Sequence, residues 1–172
     1  MNRTGTGAQI RAGIANLETA THFALATLAV YGVLMGGCFL AYLAGGMSVF
    51  DATVHAMTTL STGGYSNYDA SFGHFDSAFL QYAATGFMAL GGVPFAWYIR
   101  AVLKRRYGSE QIGRYLQFLA AVIALLTVWL VLTSDVPPET AFRHVAFSVV
   151  SVVTTTGYAS VDYTTWGAFA VT

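Results

Sequence analysis

The sequence predicts an all-α integral membrane fold made of repeated units, each a spanning helix, a short re-entrant pore helix with its loop, and a returning helix. Three spanning helices plus two re-entrant loops are expected, with the second unit truncated. Composition is the first reason: of 172 residues, 55% are hydrophobic and only 9% charged, against roughly 25% charged in soluble domains. The second is punctuation, because an ionisable group is costly in hydrocarbon and marks where apolar segments end. The third is a polar stretch, TTLSTGGYSNYD at residues 58–69, which returns as SVVTTTGYASVD at residues 151–162.

Taken in order, the first spanning helix is expected over about residues 22–44, inside the uncharged run that follows Glu18. That run is too long for a signal-peptide core and no small-residue cleavage site follows it, so it reads as a retained helix. A second span is expected over residues 77–99, between Asp76 and Arg100, and a third over residues 115–134, between Arg114 and Asp135. Each supplies the ~20 residues that a helix needs to cross about 30 Å of hydrocarbon. Residues 48–68 and 138–161 are shorter and rich in Ser, Thr and Gly, and they read as segments that enter the membrane without crossing it. Ser48 stands three residues before Asp51, the pattern of a helix N-terminus. Pro137 and Pro138 suit a helix start, where a missing N–H is harmless, and Glu139 and Arg143 are spaced for an i,i+4 pair. The units divide as residues 1–108 and 109–172.

Orientation follows from the basic residues. Arg100, Lys104, Arg105, Arg106 and Arg114 share one loop, and Arg3 and Arg11 precede the first helix. The positive-inside rule makes both regions, and hence the N-terminus, cytoplasmic. The two Thr/Gly segments then dip in from the outside. The basic loop reads as a positive-inside anchor, with docking of a cytosolic partner as the alternative.

Several function classes are excluded. Net charge is zero and no basic patch alternates with aromatics, so no nucleic-acid partner is expected. The lone Cys38 forms no intrachain disulfide and has no neighbouring ligands for a metal site. A polytopic membrane enzyme would carry a motif such as G-x-S-x-G or H-E-x-x-H, and neither occurs, so no enzymatic activity is expected. His55 and His144 lack a carboxylate at ligand spacing and read as structural histidines.

With Gly64 set on Gly157, 93 residues on, Thr62 falls on Thr155, Tyr65 on Tyr158 and Asp69 on Asp162. Upstream the match is looser: His55 lies ten residues before Tyr65 and His144 fourteen before Tyr158, one extra helical turn. Non-helical backbone survives at membrane depth only where protein buries it or it lines a wet cavity. Its carbonyls are what a dehydrated cation requires. The C-terminal ends of the preceding short helices carry partial negative charge, and Gly63, Gly64 and Gly157 permit the dihedrals that turn carbonyls to one side. This is the chemistry of a K⁺ selectivity filter. The candidate ion-binding residues, through backbone and hydroxyl oxygens, are Thr62, Gly63, Gly64, Tyr65, Thr154, Thr155, Thr156, Gly157 and Tyr158. Asp69 and Asp162 read as turn formers or caps, or else as outer-mouth carboxylates that concentrate cations. Gly91 and Gly92, before Pro94, read as a hinge or as a close-packing surface.

The stretches AGGMSVFDATVHAMTTLSTGGYSNYDAS, FMALGGVPFAWYIR and VVSVVTTTGYASVDYTTWG resemble the Trk/Ktr/HKT superfamily of potassium transporters, and within it the bacterial Trk-type membrane subunit. The resemblance covers about residues 11–172. It implies four helix–loop–helix units around one pore, with STGGYS matching the second filter segment, TTTGYAS the third, and the filter glycine at Gly64 and Gly157. Ser66 and Ala159 follow the tyrosines where a K⁺ channel's TVGYG has glycine. The resemblance further implies K⁺ as transported ion with no cofactor, a bacterial inner membrane location among lipid, and as partners the remaining pore units, a second copy in a homodimer and a cytosolic nucleotide-binding regulatory subunit. Only two of the four units are present, so the chain is expected to be an internal piece. It then acts within a longer protein or is an assembly-only or inactive fragment.

Overall fold

The computed structural model describes residues 3–105 and 107–161, with side chains described for residues 20–102, 105 and 107–161. The described elements are α1 (Arg3–Ala44), α2 (Val49–Leu60), a 3-10 turn (Ser71–His74), α3 (Ala78–Gly91), α4 (Phe95–Lys104), α5 (Glu110–Thr133) and α6 (Pro138–Val153). Two stretches, Ala20–Ala44 and Glu110–Thr133, are long and apolar enough to cross a membrane. Their large apolar side chains, among them Leu28, Val33, Leu125 and Leu132, point away from the protein. That is the pattern of helices meeting hydrocarbon, and the reverse of a soluble protein's core helix.

The expected span over residues 77–99 is not one helix. It breaks at Gly92-Val93-Pro94 into α3, of 14 residues, and α4, of 10. Pro94 has no N–H to donate and forces the residue before it out of the helical region. The Leu90 carbonyl, which loses its i+4 donor to Pro94, takes the Val93 N–H at 3.1 Å and the Tyr98 hydroxyl at 2.7 Å, and the Tyr115 hydroxyl reaches the Ala89 carbonyl at 3.3 Å. Gly91 and Gly92 pack tightly here. A Cβ on Gly91 would lie 3.4 Å from the Leu60 carbonyl oxygen, and one on Gly92 would lie 2.8 Å from the Tyr115 hydroxyl.

The short helices start as their sequences dictate. The Ser48 hydroxyl accepts from the Asp51 N–H at 3.1 Å to cap α2, and α6 opens on Pro138 with Glu139 and Arg143 paired at 3.3 Å. At 12 and 16 residues, they extend only about 18 and 24 Å, short of a bilayer crossing. Between them sits the core. Phe72, on the 3-10 turn, is fully buried with its ring 5.8 Å from Tyr42, 5.2 Å from Phe147 and 5.3 Å from Tyr158. The extra turn inferred from the histidines lies at the start of α6. Below it the 93-residue register runs unbroken, so the counterpart of His55 is Ser148 and that of His144 is Asp51.

Candidate ion-binding loops

The loops after α2 and α6 share one hydrogen-bond pattern, displaced by 93 residues. Ser61 N donates to Met57 O at 3.1 Å and Thr154 N to Val150 O at 2.9 Å; Thr62 N donates to Thr59 O at 3.2 Å and Thr155 N to Val152 O at 3.0 Å. Gly63 N and Gly64 N converge on Thr58 O at 2.8 and 3.2 Å, as Thr156 N and Gly157 N converge on Ser151 O at 2.9 and 3.3 Å. A hydroxyl closes each loop: Thr58 Oγ1 donates to Tyr65 O at 2.9 Å, and Ser151 Oγ to Tyr158 O at 2.8 Å.

Backbone handedness repeats too. Thr62 and Gly64 have φ of 51° and 63°, and Thr155 and Gly157 have 59° and 83°. Left-handed residues thus alternate with the intervening Gly63 and Thr156. Alternating hands gather successive N–H groups on one side of the backbone, and here a carbonyl of the preceding short helix, Thr58 O or Ser151 O, fills that nest. Among the described residues no N–H or O–H donates to the carbonyls of Thr62, Gly63 and Gly64 or of Thr155, Thr156 and Gly157. Two arrays of partially negative oxygens, without a donor among the described residues, therefore follow the C-terminal ends of two short helices, which favours a cation.

The two loops meet. A Cβ on Gly64 would lie 1.9 Å from Thr156 O, and Gly73 N donates to Ala159 O at 2.9 Å. The remaining candidates divide by environment. Thr154 and Thr156 are buried with their hydroxyls 2.7 Å apart, whereas Thr155 and Gly157 are exposed. Tyr158 is 3% exposed against the first unit, whereas its counterpart Tyr65 is 77% exposed. Asp69 is exposed just before the 3-10 turn, and Asp162 lies outside the described residues. Gly91 and Gly92 lie beneath the loops, against Leu60 and Thr154.

A profile of the TrkH family, described as cation transport protein, matches residues 16–171. The chain belongs to this family. Among curated TrkH-family relatives, the Trk system potassium uptake protein TrkI of Halomonas elongata is 46% identical over 151 residues, covering 86% of this chain and 30% of that protein. The Trk system potassium uptake protein TrkH of the same organism is 39% identical over 150 residues, covering 85% and 31%. The crystal structure of the potassium transporter TrkH from Vibrio parahaemolyticus superposes with a TM-score of 0.82 at 25% identity, covering 87% of this chain and 34% of that one. The chain thus spans about a third of the length of the relatives it matches.

Sequence reasoning missed the bracing of this TrkH-family loop. The Asp51 carboxylate at the head of α2 accepts from Ser48 Oγ at 2.7 Å, Asn67 Nδ2 at 3.2 Å and Tyr68 Oη at 3.1 Å. These donors, the Ser48 hydroxyl foremost, hold its carboxyl below the usual carboxylate range. One level down, His55 bridges Asp51 O at 2.8 Å and Ser66 Oγ at 3.0 Å, so both of its nitrogens have partners, as expected of a structural histidine. Only the Ser48–Asp51 spacing was visible locally. Carrying the 93-residue register back through the helices would also have singled out the hydroxyl pair Thr58 and Ser151.

Proposed function

We propose that this chain supplies two selectivity-filter segments, residues 61–65 and 154–158, of a pore that takes K⁺ up across the bacterial inner membrane. The observation that carries the reading is the pair of loops with alternating backbone hand, each with its N–H groups tied back to a short helix and, among the described residues, no donor to the carbonyls of Thr62–Gly64 or Thr155–Gly157. A dehydrating K⁺ exchanges water oxygens for carbonyl oxygens, and transport needs no covalent step and no cofactor. The curated relatives are potassium uptake proteins by name. In this reading the N-terminus and the basic loop face the cytoplasm, and α2 and α6 are re-entrant from outside.

Two loops do not surround an ion, so further helix–loop–helix units complete the pore. The unequal exposure of equivalent positions supports this. On α6, Ala146 and Val150 are buried and Arg143 half-buried where α3 of the first unit packs, with Arg143 Nη1 donating to Gln81 Oε1 at 3.1 Å. The equivalent face of α2 is open: Phe50 and Met57 are exposed and Thr53 half-buried. A groove of about 370 Å³ lined by Gly32, Met35, Gly36, Phe39, Thr53 and Ala56 runs beside it. A preceding unit, seated on the first as the first is seated on the second, fits there. A homodimer and a cytosolic regulatory subunit complete the proposed assembly.

The test is growth of a potassium-uptake-deficient bacterium in low K⁺. The complete transporter carrying this segment restores growth, and the 172-residue chain by itself does not. Rescue by the isolated chain overturns the shared-pore reading, and failure of the well-expressed complete transporter overturns the K⁺ uptake reading.

A further inference from the structure

The tyrosine of the second loop does not serve its own loop. Tyr158 Oη makes a short hydrogen bond with Thr58 Oγ1 on α2, and lies 3.5 Å from Thr59 Oγ1, 3.3 Å from His55 O and 3.5 Å from Tyr65 O. Thr59 Oγ1 in turn lies 2.8 Å from Tyr42 Oη on α1. Each hydroxyl has one proton to give. Thr58 Oγ1 also reaches Val54 O at 3.0 Å and His55 O at 3.4 Å, the Tyr65 carbonyl at 2.9 Å being the nearest of the three acceptors. The direction in which Thr59 donates to Tyr158 and Thr58 to the Tyr65 carbonyl uses every hydroxyl once. Tyr42 donates to Thr59, Thr59 to Tyr158, Tyr158 to Thr58, and Thr58 to the Tyr65 carbonyl. Hydrogen bonds chained in this sense polarise and strengthen one another in a dry interior.

We infer that Tyr158 is a positioning residue for the neighbouring filter loop: its hydroxyl orients Thr58, which holds the Tyr65 carbonyl and so fixes the outer end of the Thr62–Gly64 carbonyl array. The inference rests on the filter reading above. It makes ion selection at one loop depend on a hydroxyl of the other, and it gives the exposed Tyr65 the same task on the unit that precedes it. Tyr158→Phe keeps the ring against Phe72, 5.3 Å away, and removes only the hydroxyl, which is Thr59's acceptor as well as Thr58's donor.

The experiment measures K⁺ and Na⁺ flux into liposomes holding the complete transporter, as wild type, Tyr158→Phe, Thr58→Val, the double variant and Thr58→Ser. The K⁺ preference of Tyr158→Phe falls about fivefold, the worth of one neutral hydrogen bond. Thr58→Val falls at least as far, and the double variant is no worse than Thr58→Val. Thr58→Ser, with the residue that Ser151 supplies at the equivalent place, retains the wild-type preference. Effects that multiply in the double variant, or a Tyr158→Phe protein that selects like wild type, overturn the relay alone. A wild-type protein without K⁺ preference overturns the filter reading and the relay with it. Should Tyr158→Phe not fold, loss of preference in Thr58→Val with retention in Thr58→Ser supports the relay, and equal preference in both overturns it.

Discussion

Gly64 lies with its backbone against that of Thr156: a Cβ on Gly64 would come within 1.9 Å of the Thr156 carbonyl oxygen, at a φ of +63°. Gly157, its counterpart 93 residues on, has a φ of +83° and no atom of the described residues within 4 Å of its Cβ position.

Gly64→Ala combines the left-handed backbone penalty of about 1–2 kcal/mol with a clash against backbone that cannot turn aside, and it drives the loops apart. Gly46, before α2, has a φ of +95° with no described atom within 4 Å of its Cβ position, so Gly46→Ala meets the backbone penalty alone. Thermal unfolding of the complete transporter in detergent checks this: a small decrease for Gly46→Ala, and loss of folded protein or a much larger decrease for Gly64→Ala. Equal effects would contradict the packing of the two loops.

Asp51 offers a second test. An asparagine there accepts from Asn67 through its one carbonyl oxygen, but its amide nitrogen accepts from neither Ser48 nor Tyr68. Asp51→Asn is expected to cost about 1–3 kcal/mol and to loosen the segment after the first loop, read as faster hydrogen exchange at Asn67 and Tyr68. Because the Asp51 carboxyl is held below its ordinary value, its contribution is present above the ordinary carboxylate pKa and is lost as pH falls through the lowered one. The asparagine variant lacks that acid-side decline. A wild type and variant with the same acid profile would contradict the brace.

How much of this was legible in the sequence depends on how local the cause is. The apolar spans within α1 and α5 were marked by charges, Glu18 before the first and Arg114 and Asp135 around the second, although the helices themselves run on through Glu18 and Arg114. The break after Gly91 had its signal in Pro94, but whether proline kinks or divides a helix depends on donors for the carbonyls beside it, and these include the hydroxyls of Tyr98 and Tyr115, 8 and 26 residues away. The loop repeat was visible from Thr62 onward because the residue types themselves recur there, with glycine at the left-handed Gly64 and Gly157. Upstream, the histidines misled, since neither aligns with the other: His55 stands where the second unit has Ser148. The Asp51 brace closes over 16 and 17 residues, a separation at which spacing carries no geometric information.

Topology is tested by labelling. In a Cys38→Ser background, a cysteine introduced at Ser109, in the basic loop, is expected to react with an impermeant thiol reagent only from the cytoplasm, and one at Asn67 only from outside. Reaction of both from one side would contradict the re-entrant placement of α2.

The most direct measurement is a structure of the complete transporter soaked in Tl⁺, a K⁺ mimic whose anomalous scattering locates it. The filter assignment predicts a peak between the loops, within coordination distance of carbonyls among Thr62, Gly63 and Gly64 and among Thr155, Thr156 and Gly157. Those same carbonyls taken up by protein donors, with the Tl⁺ peaks elsewhere along the pore, would contradict it.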